Sequence, residues 1–573
     1  MTARLQGQPA APGAALAPAF VVEGPEAPLE IPEQREVSPE DEMARLDDAL
    51  ERASSQLAAL AGSLSGDLPE EAEIFQAHAA FAADPEIRDR AATHIGHGAS
   101  AERAVTDAFD GFRELLAASE SEYLAARAED LDDVRDRVVR ILQGIDPVAL
   151  RPDVPSVIVA DTLTPSQTVE IPRPTIAAIV TATGSATSHA AILARALGVP
   201  AVVAAAGLMD VVRPGLEVGV DGRSGEVAVE PDDDEKARFA ARIEEEEEKR
   251  QRLAELRDIP AATSDGHRLE LAANIGSPAD LAGAIEAGAE GSGLVRTEFL
   301  FIDRSRAPSV EDQVDFYREV ALAFPGHRVV FRTLDVGADK PLPFVDRDPE
   351  PNPALGVRGI RLGLDRPQLL RDQLQALIRA RAALSGQGGD VAIMFPLVTV
   401  PAELASARRI LATVAEEEGE DVSDLEVGAM IEVPLAALAA DRIARHADFL
   451  SIGTNDLIQY VFAADRLVGD LADLADIYQP EMLGLLAGVV EAGHRHGAWV
   501  GVCGESAADP GLALLFTGLG VDELSMTSTA IPEVKAALRG ATLEDCRRAA
   551  AEALAATSAE DARRTVRQMV QPG

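Results

Sequence analysis

The second half of the chain repeats one pattern: a short apolar run, a loop, and then a stretch whose apolar residues recur at helical spacing. Short apolar runs bounded by loops are typical of strands buried on both faces of a parallel sheet. The runs after residue 260 are "LELAAN", "GSGLVR", "VVFRT", "VAIMFP", "EVGAMIE", "FLSIGTND", "WVGVCG" and "ELSMT". Eight successive strand–helix units predict a closed (β/α)8 barrel over residues 260–573.

Polar residues stand at or near the ends of these apolar runs. They are Asn274, Arg296, Arg332, Glu432, Asn455, Asp456, Cys503 and Ser525. In a (β/α)8 barrel the C-terminal ends of all the strands lie on one face, and that face holds the active site. Chance would place one or two polar residues there, but not a set with two arginines, two carboxylates and a thiol. We therefore predict that the chemistry takes place on this face.

The arginines at this face indicate an anionic ligand. Arg296 and Arg332 each follow a strand pattern, and a guanidinium binds phosphate or carboxylate through paired hydrogen bonds. Arg466, ten residues after Asp456, is placed to add a third cation from the following loop. The alternative for any one of these arginines is an ordinary surface salt bridge.

The carboxylates of Glu432 and Asp456 have two possible uses. Mg²⁺ in proteins is commonly held by one or two carboxylates together with substrate oxygens, so this pair is suited to Mg²⁺. Alternatively, both carboxylates pair with the neighbouring arginines. Lys340, in "RTLDVGADKP", follows another strand end. It is suited to a phosphate contact or a catalytic part, or it is simply a surface residue.

Cys503 ends the seventh apolar run. Most free cysteines are small core residues, and that is one interpretation of this one. The other is chemical: a thiol with an ordinary pKa of about 8.5 is protonated at neutral pH and is able to donate a proton to a developing carbanion.

The first half of the chain has a different pattern of predicted helices and strands. Residues 33–144 contain one helical pattern after another, the first with Ser38 as the expected N-cap and Pro39 as the first helical residue. Residues 1–32 and 145–230 contain short β-like runs and predict an α/β unit with the helical part inserted into it. Residues 231–259 are charged nearly all round, and we expect a solvated connecting helix. The fold class predicted is a multidomain α/β protein that ends in the barrel.

Charge and composition exclude several classes of partner. The formal net charge is −44, which repels nucleic acids and anionic membranes and favours a basic protein partner. The sequence contains no run of about 18 apolar residues without charge, so no membrane insertion is expected. Two cysteines are too few for a disulfide scaffold, and no signal peptide is evident at the N-terminus. These features together predict a cytoplasmic protein.

One histidine outside the barrel has an unusual setting. In "GSATSHAAILARALGVP" small residues precede His189, and an apolar helical pattern follows it at once. A neutral imidazole is available near pH 6.5 and above, and the unpaired N–H groups of a helix beginning there would favour a bound anion. Thr187 and Ser188 add hydroxyl donors. A buried structural histidine is the alternative, but it would need no such surroundings.

Long ordered segments resemble a known family. These are "TSHAAILARALGVPAVV", "GAEGSGLVRTEFLF", "FRTLDVGADKPLP", "NPALGVRGIRL", "MFPLV", "IEVPLA", "FLSIGTNDLIQY", "YQPEM" and "GVCGE". The chain resembles enzyme I of the bacterial sugar phosphotransferase system, the phosphoenolpyruvate–protein phosphotransferases, over almost its whole length. The resemblance implies phosphoryl transfer from phosphoenolpyruvate to the histidine phosphocarrier protein HPr, with release of pyruvate, as the first step of sugar uptake.

The resemblance also implies a role for each matching residue. His189 is the phosphorylated residue, and Cys503 protonates the enolate. The substrate-binding residues are Arg296, Arg332, Asn455, Asp456, Arg466 and Lys340, with Arg466 on the carboxylate. Glu432 and Asp456 bind Mg²⁺. HPr docks on the helical part, 33–144, and the protein forms a homodimer through the barrel.

The sequence departs from the family near the histidine. Ser185 and Ala186 replace residues of a run that usually reads Gly-Gly-Arg or Gly-Gly-Pro, and Ala190 replaces the usual threonine. These changes bear on the rate of reaction or the lifetime of a phosphohistidine more than on its identity. Two other readings remain open: a pyruvate–phosphate dikinase or phosphoenolpyruvate synthase, which would need a nucleotide-binding domain, and a non-catalytic regulator that only binds HPr.

Overall fold

The computed structural model describes most of the chain in two compact units, Met1–Arg250 and Gln251–Gly573. The residues described are 3–22, 31–34, 37–64, 69–117, 130–145, 150–164, 167, 171–185, 188–302, 304–337, 342, 344–345, 350–384, 386–465, 471 and 474–570. For a few of these, including His189, only the backbone is described.

An eight-stranded sheet organises the α/β part of the first unit. Its strands are β1 (Ala3–Gln6), β2 (Gln8–Ala11), β3 (Ala14–Val21), β4 (Ser156–Ala160), β5 (Ile176–Thr181), β6 (Ala201–Val203), β7 (Glu217–Asp221) and β8 (Glu226–Val229). They lie in the order β1-β8-β7-β3-β4-β5-β6-β2. The four strands β3 to β6 are parallel, and β3 shows that the N-terminal segment contributes to this sheet.

Both faces of the sheet are covered. Alternate residues of β4 point to opposite sides, so that Val157 belongs to one apolar core and Ile158 to the other. The helix α6 (His189–Leu197) packs through Ala190 and Ala191 on the Ile158 side, and the short helix α7 (Leu208–Val211) covers the other. The central strand β4 is therefore buried along its whole length.

The inserted part of the first unit is helical. Its helices are α1 (Pro39–Leu64), α2 (Pro69–Ala82), α3 (Pro85–Gly96), α4 (Ala101–Ala117) and α5 (Asp130–Gln143). The backbone N–H of Asp41 donates to Ser38 Oγ over 3.1 Å, so Ser38 is the predicted N-cap. Leu193 of α6 is buried in the same apolar core as these helices. The helix that begins at His189 therefore packs against the sheet and against the helical part.

The connecting helix α8 (Asp233–Glu255) forms where it was predicted and is mostly exposed, but its one aromatic residue is buried. Phe239 is completely buried, and its ring lies where a Cβ on Gly219 of β7 would be 2.4 Å away. Arg242 pairs with Asp221 at 2.5 Å. One large aromatic side chain and flanking ion pairs hold the first half of the helix to the sheet, although it has no broad apolar stripe.

The second unit contains the predicted barrel. Its strands are β9 (Glu270–Ile275), β10 (Ser292–Val295), β11 (Arg328–Arg332), β12 (Asp390–Phe395), β13 (Val427–Ile431), β14 (Phe449–Gly453), β15 (Trp499–Cys503) and β16 (Glu523–Met526). They form a closed barrel in chain order, with β16 pairing back to β9. Every pair of neighbouring strands is parallel.

Helices follow the strands around the outside of the barrel. They are α9 (Asp280–Glu286), α10 (Val310–Leu322), α11 (Ile360–Asp365), α12 (Pro367–Leu384), α13 (Pro401–Glu418), α14 (Pro434–Leu438), α15 (Ala440–Ala444), α16 (Thr454–Phe462), α17 (Pro480–Arg495), α18 (Pro510–Leu519), α19 (Ile531–Gly540), α20 (Leu543–Leu554) and α21 (Ala559–Val570). Their buried faces share one core with the outward-facing strand residues. In the part of the chain described, no helix has the length and apolar character needed to cross a membrane.

The barrel interior is layered. An apolar layer contains Leu294, Val330, Ala392, Met394, Met430, Phe449 and Cys503. At the end where the strands begin, Arg328 pairs with Glu270 and Glu426, each at 2.9 Å, and stacks on Trp499. The apolar layer separates this charged base from the opposite end, where the predicted site residues lie.

Candidate active site at the barrel mouth

The C-terminal ends of the barrel strands bring the predicted residues to one rim. The strand register pairs Gly453 with Cys503 and Cys503 with Ser525. Ser525 in turn donates from Oγ to Asn274 Oδ1 over 2.7 Å. Arg332 is the last residue of β11, and Arg296 and Glu432 come directly after β10 and β13. The closure of the barrel thus collects residues that lie far apart in sequence.

Arg332 is held in place by two carboxylates. Its Nη2 donates to Glu298 Oε1 over 2.8 Å, and its Nη1 lies 3.2 Å from Asp335 Oδ2. Burial alone would lower the pKa of Arg332, but Glu298 and Asp335 outweigh it and raise that pKa above the ordinary value. The Nε atom is buried and has no hydrogen-bond partner among the described residues. Arg332 is therefore a cation held in a fixed position, and its Nε–H remains available to donate a hydrogen bond to a ligand.

A second buried arginine, Arg358, links two carboxylates of the rim. Its guanidinium donates to Asp335 from Nε and Nη2, over 3.2 and 2.9 Å, and from Nη2 to Asp456 Oδ2 over 3.1 Å. Burial opposes its charge, but Asp335 and then Asp456 raise the pKa of Arg358. Asp456 therefore pairs with an arginine, which was the alternative to Mg²⁺ binding in the sequence analysis. The arginine is Arg358, however, which the sequence analysis did not select.

Glu432 is completely enclosed beside these groups. Its Oε1 accepts the backbone N–H of Leu397 over 2.6 Å. A Cβ at position 453 would lie 2.9 Å from Glu432 Oε2, so Gly453 leaves room for the carboxylate. Burial, together with the charges of Asp335 and Asp456, raises the pKa of Glu432 to about 8. Added positive charge at this position would favour its ionised form.

Asn455 and Asp456 lie in the first turn of α16 rather than in a strand. The run "FLSIGTND" was predicted as one strand, but the strand ends at Gly453 and the helix begins at Thr454. Asn455 Oδ1 accepts the backbone N–H of Glu505 over 3.2 Å. Gly504, the residue before Glu505, has a φ of 130°, and a Cβ on it would be 2.5 Å from Thr454 Oγ1. The glycine permits this close approach of the two loops.

Cys503 is a buried thiol at the boundary between the apolar layer and the mouth. It is 2% exposed, and burial raises its pKa to about 11. Ser451 donates from Oγ to Cys503 Sγ over 3.2 Å, and the Sγ lies 3.7 Å from the carbonyl oxygen of Ile452. The thiol is therefore protonated over the physiological range of pH and is oriented by its neighbours.

Arg296 differs from the other two arginines of the mouth. Its side chain is exposed, and no ion pair joins it to any residue within the described ranges. An arginine that is free at a rim of buried ion pairs is available to a ligand. Lys340 and Arg466, the remaining predicted binding residues, lie outside the described residues.

His189 is the first residue of α6, and Ser188 is the N-cap residue with extended backbone angles. The side chain of Ser188 makes no capping hydrogen bond. The helix thus begins at His189 itself rather than just beyond it. Thr187 and the imidazole of His189 lie outside the described part of the structure, so the setting of the ring remains a prediction.

The donor set at the mouth is compatible with a divalent cation. Glu432 and Asp456 supply carboxylate oxygens, which Mg²⁺ prefers, and a site of one or two carboxylates is completed by substrate oxygens and water. Burial is the first cause of the raised pKa of Glu432, and repulsion by the charges of Asp335 and Asp456 adds to it. A cation between Glu432 and Asp456 would offset that repulsion, so the residues fit Mg²⁺.

Three residues of this network were missed by the sequence analysis: Glu298, Asp335 and Arg358. Glu298 and Asp335 follow strands, and Arg358 precedes the short helix α11; all three lie in loops or short turns, where no hydrophobic periodicity marks them. A signal was nevertheless present, because all three lie within the segments "GAEGSGLVRTEFLF", "FRTLDVGADKPLP" and "NPALGVRGIRL" that carry the family resemblance.

Comparison with known proteins covers nearly the whole chain. Three family models match it in series: the PEP-utilising enzyme, N-terminal, over residues 6–127; the mobile domain over 152–225; and the PEP-binding domain over 250–543. A phosphoenolpyruvate-protein phosphotransferase of Streptomyces coelicolor is 48% identical and covers 93% of each chain. One of Staphylococcus carnosus is 38% identical over 98% of each chain.

Among solved structures, an NMR structure of an enzyme I protein is 32% identical, with a TM-score of 0.39, and the match covers 42% of this chain and 99% of that chain. The family assignment rests on the sequence relatives and the serial domain matches, which agree with the resemblance found in the motifs. The chain belongs to the phosphoenolpyruvate-protein phosphotransferases, the enzyme I family, and is an enzyme of phosphoenolpyruvate-dependent phosphoryl transfer.

Proposed function

We propose that the enzyme takes the phosphoryl group of phosphoenolpyruvate onto His189, releases pyruvate, and passes the group to the phosphocarrier protein HPr. This would be the first step of sugar uptake by a phosphotransferase system. The observation that carries the proposal is the composition of the barrel mouth. Arg296, which is exposed and has no ion pair with a described residue, lies on the same rim as the cation Arg332, the carboxylates Glu432 and Asp456, and the thiol of Cys503.

The substrate carries a phosphate and a carboxylate, and the proposal assigns cations to each. Arg296 and Arg332 bind the phosphate, where guanidinium groups make paired hydrogen bonds to its oxygens. Arg466 binds the carboxylate, Lys340 adds a phosphate contact, and Asn455 and Asp456 line the site. Support for Arg332 comes from its buried Nε, which has no hydrogen-bond partner in the described structure.

Glu432 and Asp456 hold Mg²⁺ in this proposal. When bound, the ion supplies positive charge toward the phosphate and carboxylate oxygens of the substrate. The residues of the chain position it: Leu397 donates its N–H to Glu432, and Arg358 holds Asp456. The hydrogen bond from Arg358 orients Asp456 at the rim.

His189 acts as the phosphoryl acceptor. Attack on phosphorus requires the neutral imidazole, which predominates above the ordinary histidine pKa of about 6.5. The product is an anionic group at the first residue of α6, where the N–H groups of the first turn have no partners within the helix. That position is the support for His189, because a helix N-terminus favours negative charge.

Cys503 completes the reaction by protonating the enolate that remains after phosphoryl transfer. The carbon next to the enolate oxygen takes the proton from sulfur, and pyruvate results. The thiol is suited to this task because burial keeps it protonated near neutral pH. An ordinary carboxylic acid would have lost its proton at that pH.

The same proposal includes the organisation of the protein and its partners. Residues 1–32 and 145–230 form a phosphohistidine domain, 33–144 the HPr-binding domain, 231–259 the linker, and 260–573 the phosphoenolpyruvate-binding barrel. HPr docks on the helical domain, and the barrel forms a homodimer. The strongly acidic chain supports a basic partner surface.

The experiment that tests the function is incubation with phosphoenolpyruvate labelled in its phosphate, with Mg²⁺, followed by transfer to HPr. The wild-type protein should acquire an acid-labile label and pass it to HPr, and His189→Ala should acquire none. His446→Ala, which alters an exposed histidine at the end of α15, is the matched control and should label normally. Label retained on His189→Ala would refute the assignment.

Two further outcomes address the alternative readings. Labelling from the γ-phosphate of ATP would favour a dikinase-type reaction. A wild-type protein that binds HPr but releases no pyruvate would favour a regulator without catalysis.

A further inference from the structure

Ser451 lies directly behind the thiol of Cys503. Both side chains point into the barrel, Ser451 from β14 and Cys503 from β15, and they are 1% and 2% exposed. The register pairs Ser451 with Gly501 and Gly453 with Cys503. Ser451 and Cys503 are thus diagonal neighbours on adjacent strands, and Ser451 Oγ donates to Cys503 Sγ over 3.2 Å.

The surroundings of the sulfur make this contact important. Cys503 belongs to the apolar layer of the barrel with Met394, Met430 and Phe449. A thiolate formed there would be a poorly solvated anion, which an apolar environment strongly disfavours. A hydrogen bond to an anion is about twice as strong as one between neutral groups, so the Ser451 hydroxyl would bind the thiolate more tightly than the thiol.

We propose that Ser451 is a positioning residue for enolate protonation: its hydroxyl holds the Cys503 sulfur in place and stabilises the thiolate left when the proton has gone. The inference rests on the proposed function of Cys503. In this step the electron pair of the enolate forms a C–H bond at C3, the S–H bond breaks, and sulfur keeps the electrons as thiolate. Water returns a proton to sulfur after pyruvate leaves.

Burial and charges on other strands also act on the sulfur. Burial opposes the thiolate, as do Glu432, after β13, and Glu523, at the base of the barrel on β16, whereas Arg332 on β11 favours it. Ser451, on β14, is the neutral donor in this group. Its removal would leave a smaller counterweight to the two carboxylates and to the apolar layer, so proton donation from Cys503 should become slower.

A single-turnover experiment separates this role from a structural one. The full-length enzyme is mixed with labelled phosphoenolpyruvate and Mg²⁺, and phosphoenzyme and pyruvate are both followed with time. In the wild type they should appear together. In Ser451→Ala phosphoenzyme should form at close to the wild-type rate while pyruvate lags about 10- to 100-fold, the effect expected for a hydrogen bond to a charged group.

Two more variants complete the design. Ser451→Thr keeps the hydroxyl opposite Gly501 and should remove most of the lag. Cys503→Ala should lag at least as much as Ser451→Ala. A structural loss in Ser451→Ala would slow both products equally, which would overturn the inference even if Ser451→Thr folded poorly.

The outcomes also separate this inference from the function on which it rests. If Cys503→Ala lags and Ser451→Ala does not, the role of Ser451 is wrong and that of Cys503 stands. If Cys503→Ala shows no lag, the proposed acid is wrong and the inference falls with it. If the wild type acquires no label from phosphoenolpyruvate, the proposed function itself has failed.

Discussion

Arg358 donates from Nη2 to Asp456 Oδ2 over 3.1 Å, although the two residues are 98 positions apart. The same nitrogen lies 2.9 Å from Asp335 Oδ2. Asp456 thus has an ion-pair partner inside the protein, and so does Arg332 through Glu298. The barrel mouth is a network of balanced buried charges in which Arg296 alone, of these three arginines, has no ion pair with a described residue.

Replacement of Arg358 by alanine should destabilise the barrel. Asp335 and Asp456 would remain buried without their cation, and breaking a buried pair in this way costs about 3–5 kcal/mol. Urea unfolding of the full chain measures the loss. Arg366→Ala removes a half-exposed arginine from the same region and should change the unfolding free energy by less than about 0.5 kcal/mol. Equal effects of the two variants would contradict the role of the network.

Arg296→Ala should separate binding from stability. Because the side chain is exposed and has no ion pair with any residue that the structure describes, the unfolding free energy should stay within about 0.5 kcal/mol of the wild type. Loss of a charged hydrogen-bond donor to phosphate should nevertheless lower kcat/KM for phosphoenolpyruvate about 10- to 100-fold. Arg332→Ala should lose both activity and stability, since it breaks two buried ion pairs. A stability loss in Arg296→Ala as large as that in Arg332→Ala would argue against this distinction.

Glu523 should make the stability of the barrel depend on pH. Burial and the nearby Glu270 raise the pKa of Glu523 from 4.5 to about 8. Between those values the folded protein binds more protons than the unfolded chain, so the free energy of unfolding falls as pH rises from about 4.5 to about 8. Glu523→Gln mimics the protonated acid and should reduce the fall, measured by urea unfolding at several pH values.

The control for Glu523→Gln is Glu533→Gln, which alters an exposed glutamate on α19. It should retain the pH dependence of the wild type. A Glu523→Gln protein whose stability falls with pH as steeply as that of the control would show that this carboxyl does not carry the effect.

Phe239→Ala should release the first half of the connecting helix. The ring is completely buried against β7, and truncation of a buried phenylalanine costs about 3–5 kcal/mol. Amide hydrogen exchange should therefore accelerate over residues 233–243. Arg250→Ala, which alters a side chain that is 72% exposed in the second half of the helix, should leave that exchange unchanged. If the amides of residues 233–243 remained protected in Phe239→Ala, the surface ion pairs alone would be enough to hold the helix on the sheet.

Much of the fold could be predicted from local pattern. The eight apolar runs correspond to the eight barrel strands because a strand covered on both faces must be apolar throughout. Ser38 could be predicted as an N-cap because its hydroxyl needs only the backbone three residues on. Phe239 could not be recognised as an anchor, since its partner, Gly219, is identified only by the packing of the helix on the sheet.

The residues of the candidate site that lie at strand ends could be predicted from the sequence. Arg332, Glu432 and Cys503 could be selected because barrel geometry makes every strand end part of one rim. Glu298, Asp335 and Arg358 could not be selected in this way, because they occupy loops and turns whose path depends on what they contact; only their place in the family motifs marked them. Ser451 was missed for another reason: its importance comes from a neighbouring strand, through a hydrogen bond to Cys503.

The amino-acid sequence by itself determined the order of the units, the number and position of the barrel strands, and the chemical groups available at their ends. Those features follow from residue spacing and turn chemistry, which act over a few positions. Only the tertiary structure decided which charges meet, because closure and strand register set the contacts between distant residues. These contacts include the hydrogen bond from Arg358 to Asp456 and that from Ser451 to the sulfur of Cys503. They leave Arg296 without an ion pair among the described residues, so that it is available to a ligand.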